Sequence, residues 1–152
     1  MRAPAELTEA FRGQGLKLTP QRQLLFRLLH GNETHPTAES LFTSASQQMP
    51  GISLRTVYQT LNDLVAMGEL AALSFPGGPT RFDANVVDHH HAHCTACGEL
   101  RDVYVDRLDG VAVHGLEGFH PLTASIVFSG LCSACAERSA EISNPTPKEQ
   151  LP

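Results

Sequence analysis

Two Cys-x-x-Cys clips, Cys94/Cys97 and Cys132/Cys135, hold all four cysteines of this 152-residue chain. Two intervening residues make a tight knuckle that aims both sulfurs at one centre. Two knuckles together make a tetrahedral thiolate cage of the kind that holds Zn2+. Thioredoxin-like redox thiols are the other reading of such a clip, and a pair of clips favours structural zinc over it. Residues 98–131 between the clips exceed a simple zinc ribbon, so they carry structure of their own. Residues 100–105 read as a strand and 108–116 as a short helix. Leu122, Ala124, Ile126 and Phe128 alternate with polar residues as a half-buried strand leading into Cys132. Zinc would then staple the ends of a small α/β unit.

The charge is divided along the chain. Net charge is −5, which taken whole argues against a nucleic-acid partner. Residues 1–82 nevertheless carry seven Lys/Arg against six acids, while ten acids face four bases from Asp83 onward. Six of the eight histidines also lie beyond Asp83. A near-neutral first part and an acidic, His/Cys-rich second part imply two jobs. The expected domains are residues 1–84 and 85–138, with a hinge near 83–88. Residues 139–152 are polar with Pro145 and Pro147 and are expected to form a disordered tail. No stretch approaches the roughly 18 apolar residues of a membrane span. Residues 1–11 include Glu6 and Glu9 and do not form a secretory signal. The expected location is therefore the cytoplasm, with no membrane partner, where cysteines serve metals more often than disulfides.

The first part reads as helices followed by a hairpin. Leu7, Ala10 and Phe11 fall at helical spacing, stopped by Gly13 and Gly15. Thr19-Pro20 starts a second helix with Leu24, Leu25, Leu28 and Leu29 as its stripe, ended by Gly31-Asn32. Thr37 caps a third, with Ala38, Leu41, Phe42 and Ala45 inward, and Pro50-Gly51 turns the chain. Ser53 caps a fourth, which runs to about Met67. Its apolar face is Leu54, Val57, Leu61, Leu64 and Val65, and Arg55, Tyr58, Gln59 and Asn62 share the other. That outer face, with donors, an aromatic ring and little acid, has the composition of a helix lying in a DNA major groove. Residues 69–75, the turn Pro76-Gly77-Gly78-Pro79 and residues 80–82 read as a β-hairpin. Helices followed by a hairpin make a winged-helix pattern. The alternative is a helical domain whose polar face is merely solvated.

Asp88-His89-His90-His91-Ala92-His93 is the second metal signal. In a strand His89, His91 and His93 point one way and His90 the other, with Asp83 and Asp102 near in sequence as oxygen donors. Imidazoles with carboxylates suit Fe2+ or Mn2+, and also Zn2+. His90, and with it His93, is expected to be merely solvated. Enzyme signatures are missing: no His-Glu-x-x-His helix, no deaminase pattern, no phosphate loop, no nucleophile elbow and no dinucleotide fingerprint occur.

Leu18-Thr19-Pro20-Gln21-Arg22, His35-Pro36-Thr37-Ala38, Thr56-Val57-Tyr58-Gln59-Thr60-Leu61, Arg81-Phe82-Asp83, Asp88-His89-His90-His91-Ala92-His93-Cys94 and Cys97-Gly98 follow one another in order. Together they resemble the ferric uptake regulator (Fur) family over residues 6–138. The resemblance implies an α+β chain: an N-terminal winged-helix DNA-binding domain and a C-terminal α/β dimerisation domain with a four-cysteine zinc site. It implies a homodimeric, metal-dependent repressor, not an enzyme, that binds a palindromic double-stranded DNA operator. It assigns Cys94, Cys97, Cys132 and Cys135 to structural Zn2+. It assigns His35, Asp83, His89, His91 and Asp102 to a regulatory Fe2+ or Mn2+. Lys17, Arg22, Arg55, Tyr58 and Gln59 become the expected DNA contacts. Aspartate at 102 resembles the family's peroxide-sensing branch, in which the oxidised groups match His35 and His89. An iron- or manganese-supply sensor is the alternative within the family. A metal-binding enzyme or metal-storage protein is the alternative outside it. Some members carry a further site with a histidine where this chain has Ala124, so His90 and Asp109 would be its only remaining contributors.

Overall fold

Thr19, Thr37 and Ser53 start three helices with one device. In the computed structural model each is extended at the N-cap, and its side-chain oxygen accepts the backbone N–H three residues on, from Arg22, Ser40 and Thr56. This satisfies one of the N–H groups a helix start leaves without a partner. The structure describes residues 1–106, 113–122 and 124–143, with backbone alone for 140–143. The chain forms two compact units, Met1–Asp88 and His89–Pro152. The break falls at the end of the expected hinge, so residues 83–88 belong to the first unit.

The first unit holds α1 (Pro4–Gly13), α2 (Pro20–Leu29), α3 (Ala38–Gln48) and α4 (Leu54–Ala66), then β1 (Ala71–Leu73) and β2 (Arg81–Asp83). Leu7 and Phe11 of α1, Leu24, Leu25, Phe26 and Leu29 of α2, Ala38, Leu41 and Ala45 of α3, and Val57, Leu61 and Leu64 of α4 make one core. Phe26, outside the expected stripe of α2, is fully buried, with its ring centroid 4.8 Å from that of Phe11. Phe42 and Leu28 are only half-buried. Thr60 is buried within the apolar face of α4 because its hydroxyl donates to the Thr56 carbonyl, 2.7 Å away. Gly68, at φ +71°, ends α4 in the left-handed conformation that glycine adopts without a Cβ clash.

β1 and β2 pair antiparallel, Ala72 opposite Phe82. The first strand is shorter than the expected 69–75, and the second is shifted by one residue from the expected 80–82. Pro76 and Pro79 have no N–H to offer a ladder. At the other end the buried Glu69 is occupied by Arg2, whose backbone N–H and Nε both donate to its carboxylate.

The second unit holds β3 (His90–Cys94), β4 (Leu100–Val103), β5 (Val127–Gly130) and α5 (Ser133–Ser143). The sheet order is β4-β3-β5, with β4 antiparallel and β5 parallel to β3. β4 stops two residues short of the expected 105. Of the expected helix at 108–116, residues 107–112 lie outside the described residues, and 113–116 are irregular. The alternating strand expected from Leu122 begins only at Val127. Leu122 is 98% exposed, and Ala124 and Phe128 are exposed too. Alternation signals a strand that buries one face, and these side chains meet no surface to bury against among the described residues. Residues 139–143, expected as the start of a tail, continue α5, where the Ser139 hydroxyl donates to the Cys135 carbonyl. Residues 144–152 lie outside the described residues.

Arg22, expected at phosphate, is instead part of the interior. Its Nη2 lies 2.6 Å from Asp63 Oδ2 on α4, and its guanidinium stands 5.2 Å from the Phe11 ring centroid. The apolar stripe predicts which face of α2 turns inward, but a guanidinium is admitted to that face only where a carboxylate meets it. Asp63→Ala leaves Arg22 buried without its anion, so urea unfolding should show a loss of about 1.5–3 kcal/mol. Lys17→Ala, on an exposed residue, should stay within about 0.5 kcal/mol of wild type.

Candidate metal centres and the outer face of α4

Strand β3 delivers Cys94 to its end, and the hairpin to β4 then turns the chain sharply. Cys94 N–H donates to the Glu99 carbonyl, and Gly98, at φ +73°, returns its N–H to the Cys94 carbonyl. That turn carries Cys97. The second clip lies where β5 passes into α5, with the N–H groups of Cys135 and Ala136 donating to the Cys132 carbonyl. The four sulfurs lie within 4.8 Å of one another. Sulfurs about 2.3 Å from one tetrahedral zinc stand about 3.8 Å apart, and Cys97 Sγ and Cys132 Sγ are 3.8 Å apart. All four thiols are free. The Cys132 N–H, 3.3 Å from Cys94 Sγ, leads the backbone donors that draw the Cys94 thiol down to about 6. Cys94, Cys97, Cys132 and Cys135 fit a structural zinc.

A second donor group lies on the same sheet. His91 is paired with Asp102 across β3–β4. His89 precedes the strand, yet its Nε2 is 3.0 Å from His91 Nε2 and 3.4 Å from Asp102 Oδ1. Two donors about 2.1 Å from one ion, at right angles, stand about 3.0 Å apart. The Tyr104 hydroxyl reaches Asp102 Oδ2 at 3.5 Å, a second contact that orients the carboxylate. His90, expected to be solvated, is buried, and its Nδ1 accepts the Ile126 N–H from the segment entering β5. It does alternate away from His91, but the face it turns toward is covered. His93 is half-buried, lining the groove beside Cys94 and Cys132.

The first unit brings His35 and Asp83 together. His35 is 1% exposed, and its Nε2 lies 3.7 Å from Asp83 Oδ2. Its φ is +48°, a left-handed conformation uncommon outside glycine. The wing holds it there: Arg81 Nη1 donates to the His35 carbonyl, and Phe82 N–H to that of Pro36. The next residue of β2 is Asp83, whose Oδ1 accepts the Asn85 N–H and whose Oδ2 faces the imidazole. Strand β2 thus positions both donors. A buried imidazole and carboxylate suit a divalent ion of the Fe2+, Mn2+ or Zn2+ kind.

On α4, Arg55, Tyr58, Gln59 and Asn62 are all exposed, as is Lys17 ahead of α2. Tyr58 is not free on that face: its hydroxyl donates to Glu39 Oε1 on α3, 2.5 Å away. The bond pushes the Tyr58 phenol up and holds the Glu39 carboxyl down. Glu39 escapes sequence reasoning because it lies on a different helix. Arg138 escapes it too, though its Nη2 is 2.8 Å from Cys135 Sγ. Its position three residues along α5 from that cysteine is the available signal.

The Ferric uptake regulator family profile matches residues 13–129, and the chain belongs to that family. Members are transcriptional regulators that bind DNA and act as dimers; they are not enzymes. The enzyme reading falls with that membership. Among curated relatives, the peroxide-responsive repressor PerR of Staphylococcus epidermidis is 32% identical over 135 residues, 87% of this chain and 89% of that protein. Its counterpart in Staphylococcus saprophyticus is 31% identical over 132 residues, 85% and 88% respectively. Among solved structures, the Vibrio cholerae ferric uptake regulator has a TM-score of 0.66 at 27% identity, over 82% of this chain and 98% of that one. The Streptococcus pyogenes PerR has a TM-score of 0.52 at 25% identity, over 89% and 94%.

Zinc at a cage of this kind is folding free energy. Cys97→Ser should purify without zinc and lose amide protection across β3–β5. The helices of the first unit, whose core contains no cysteine, should keep theirs. His91→Ala should retain zinc and protection. Hydrogen exchange with metal analysis reads both, and full protection of β3–β5 in zinc-free Cys97→Ser would refute the assignment.

Proposed function

We propose that this chain is a cytoplasmic, homodimeric repressor that binds a palindromic operator when one Fe2+ or Mn2+ is held by His35, Asp83, His89, His91 and Asp102, and that releases it on exposure to peroxide. The observation that carries the reading is the pair of donor groups. Two buried donors sit on the wing side of the first unit and three on the sheet of the second. Neither group alone completes the shell of such an ion. One ion shared by both would link the DNA-binding unit to the other and bias the protein toward the form that binds DNA. Coupling of this kind is typically about 1–3 kcal/mol, or 5–150-fold in affinity. Paired recognition helices dock only where their spacing matches the helical repeat of DNA. The α4 face with Arg55, Tyr58 and Gln59 would enter the major groove, and Lys17 would reach towards the minor groove. The apolar side chains exposed on the second unit, Phe128 and Leu131 among them, suit a surface that a second copy covers.

Similarity to peroxide-responsive repressors and the aspartate at position 102 support peroxide as the signal. Bound Fe2+ supplies the one-electron reduction of peroxide, and Mn2+ lacks it. By the family resemblance, His35 and His89 are the rings that would take up an oxygen atom, with the net change being a ring C–H and H2O2 giving the oxidised ring and water. An oxidised ring is a poorer nitrogen donor, which weakens the hold on the ion and lowers DNA affinity. The comparable likeness to the Vibrio cholerae ferric uptake regulator favours a second reading, in which the same five residues report metal supply alone.

The two readings part under mass spectrometry of protein loaded with Fe2+ and given substoichiometric peroxide. A gain of one oxygen on a peptide holding His35 or His89, absent with Mn2+ and accompanied by loss of the gel shift on DNA from upstream of its own gene, supports sensing. An unmodified protein with DNA binding intact leaves the supply sensor. His91→Ala should lose the metal-dependent shift by at least roughly tenfold while remaining a dimer.

A further inference from the structure

The exposed aromatic ring on α4 is tied to another helix. Tyr58 is 41% exposed, on the same outer face as Arg55 and Gln59. An exposed tyrosine on a helix ordinarily exchanges rotamers within nanoseconds. Here its hydroxyl is held at 2.5 Å by Glu39 Oε1. Glu39 in turn stands in the first turn of α3, two residues after the cap Thr37. Both helices are packed through buried residues, Ala38, Leu41 and Ala45 from α3 and Val57, Leu61 and Leu64 from α4. The tether therefore joins two fixed points.

We infer that Glu39 is a positioning residue for base recognition: it locks the Tyr58 ring at one place on the outer face of α4 and commits the phenolic hydrogen. This inference rests on the reading of α4 as the DNA-facing helix. Two consequences follow from the chemistry. A ring ordered before binding loses less conformational freedom when it meets a base pair. A hydroxyl whose hydrogen is already given away can offer a base only its ring and an acceptor oxygen. The major-groove edge of guanine presents two acceptors, N7 and O6, whereas thymine presents one acceptor, O4, beside a methyl group on which a ring can pack. The pair accordingly selects thymine over guanine at the base pair the ring meets, and it does so although Glu39 lies on a helix other than α4.

The experiment measures metal-loaded wild-type, E39Q and E39A proteins on the upstream DNA of the protein's own gene and on a panel carrying each single base-pair change. Circular dichroism confirms that each variant is folded. E39Q removes the charge but keeps an acceptor for the phenol, and it should retain the base preference while binding all DNA somewhat more tightly. E39A should lose about fivefold to tenfold of discrimination at one base pair in each half-site, chiefly by tolerating guanine, with other positions unchanged. Preference profiles that coincide for E39A and wild type would overturn the inference. So would equal loss in E39Q and E39A, which would make charge rather than the tether responsible. A wild-type protein with no preference at any position would instead overturn the DNA-facing reading of α4 itself.

Discussion

Strand β3 is hydrogen-bonded along both edges, and both candidate metal centres of the second unit depend on the registers this creates. Pairing with β4 sets His91 opposite Asp102. Pairing with β5 sets Cys94 opposite Gly130 and so brings the second clip to the first. Side chains alternate along a strand, so a slip of one residue would turn His91 to the wrong face and carry Cys94 away from Cys132. Five residues thus serve two centres of different character. One is a group of four thiols that would hold the sheet's ends together around zinc, and the other is a nitrogen and oxygen group on its face. Their positions cannot be adjusted independently.

The first unit depends on a comparable economy at the wing. Strand β2 holds the loop before α3 through Arg81 and Phe82, then supplies Asp83 as the neighbour of His35. Glu69, at the other side of the hairpin, is taken by Arg2. The hairpin therefore organises the donor pair as well as ending the helical unit. Arg22 and Asp63 contribute differently, joining α2 to α4 through a nearly buried ion pair. Removing one partner of such a pair costs more than the pair itself contributes, because the remaining charge is stranded.

The helices of the first unit are legible in the sequence because their signals are local. Thr19, Thr37 and Ser53 are caps, Pro20 is a start, and the apolar spacing names the buried face. The Cys-x-x-Cys clips are legible for the same reason. What sequence cannot supply are partnerships between segments. Arg22 reads as a surface cation until Asp63 meets it. Tyr58 reads as unencumbered until Glu39, nineteen positions earlier, accepts its hydrogen bond. His90 reads as solvated because alternation identifies the face a side chain takes but not what covers that face. The region around Leu122 fails in the opposite sense: its alternation is genuine, but a strand needs an edge to pair with, and pairing begins only at Val127.

The backbone at His35 narrows what this position can become. Left-handed φ is tolerated by glycine, and among other residues most readily by asparagine, aspartate and histidine. Of these four, histidine alone brings a neutral nitrogen donor. Backbone shape and nitrogen-ligand chemistry therefore intersect at a single amino acid. A substitution that keeps the imidazole's role must also accept the turn, and one that accepts the turn forfeits the imidazole. The neighbouring Asp83, in ordinary strand geometry, carries no such double restriction. The donor pair thus holds one position open to exchange among oxygen ligands and one where no other nitrogen ligand fits the backbone.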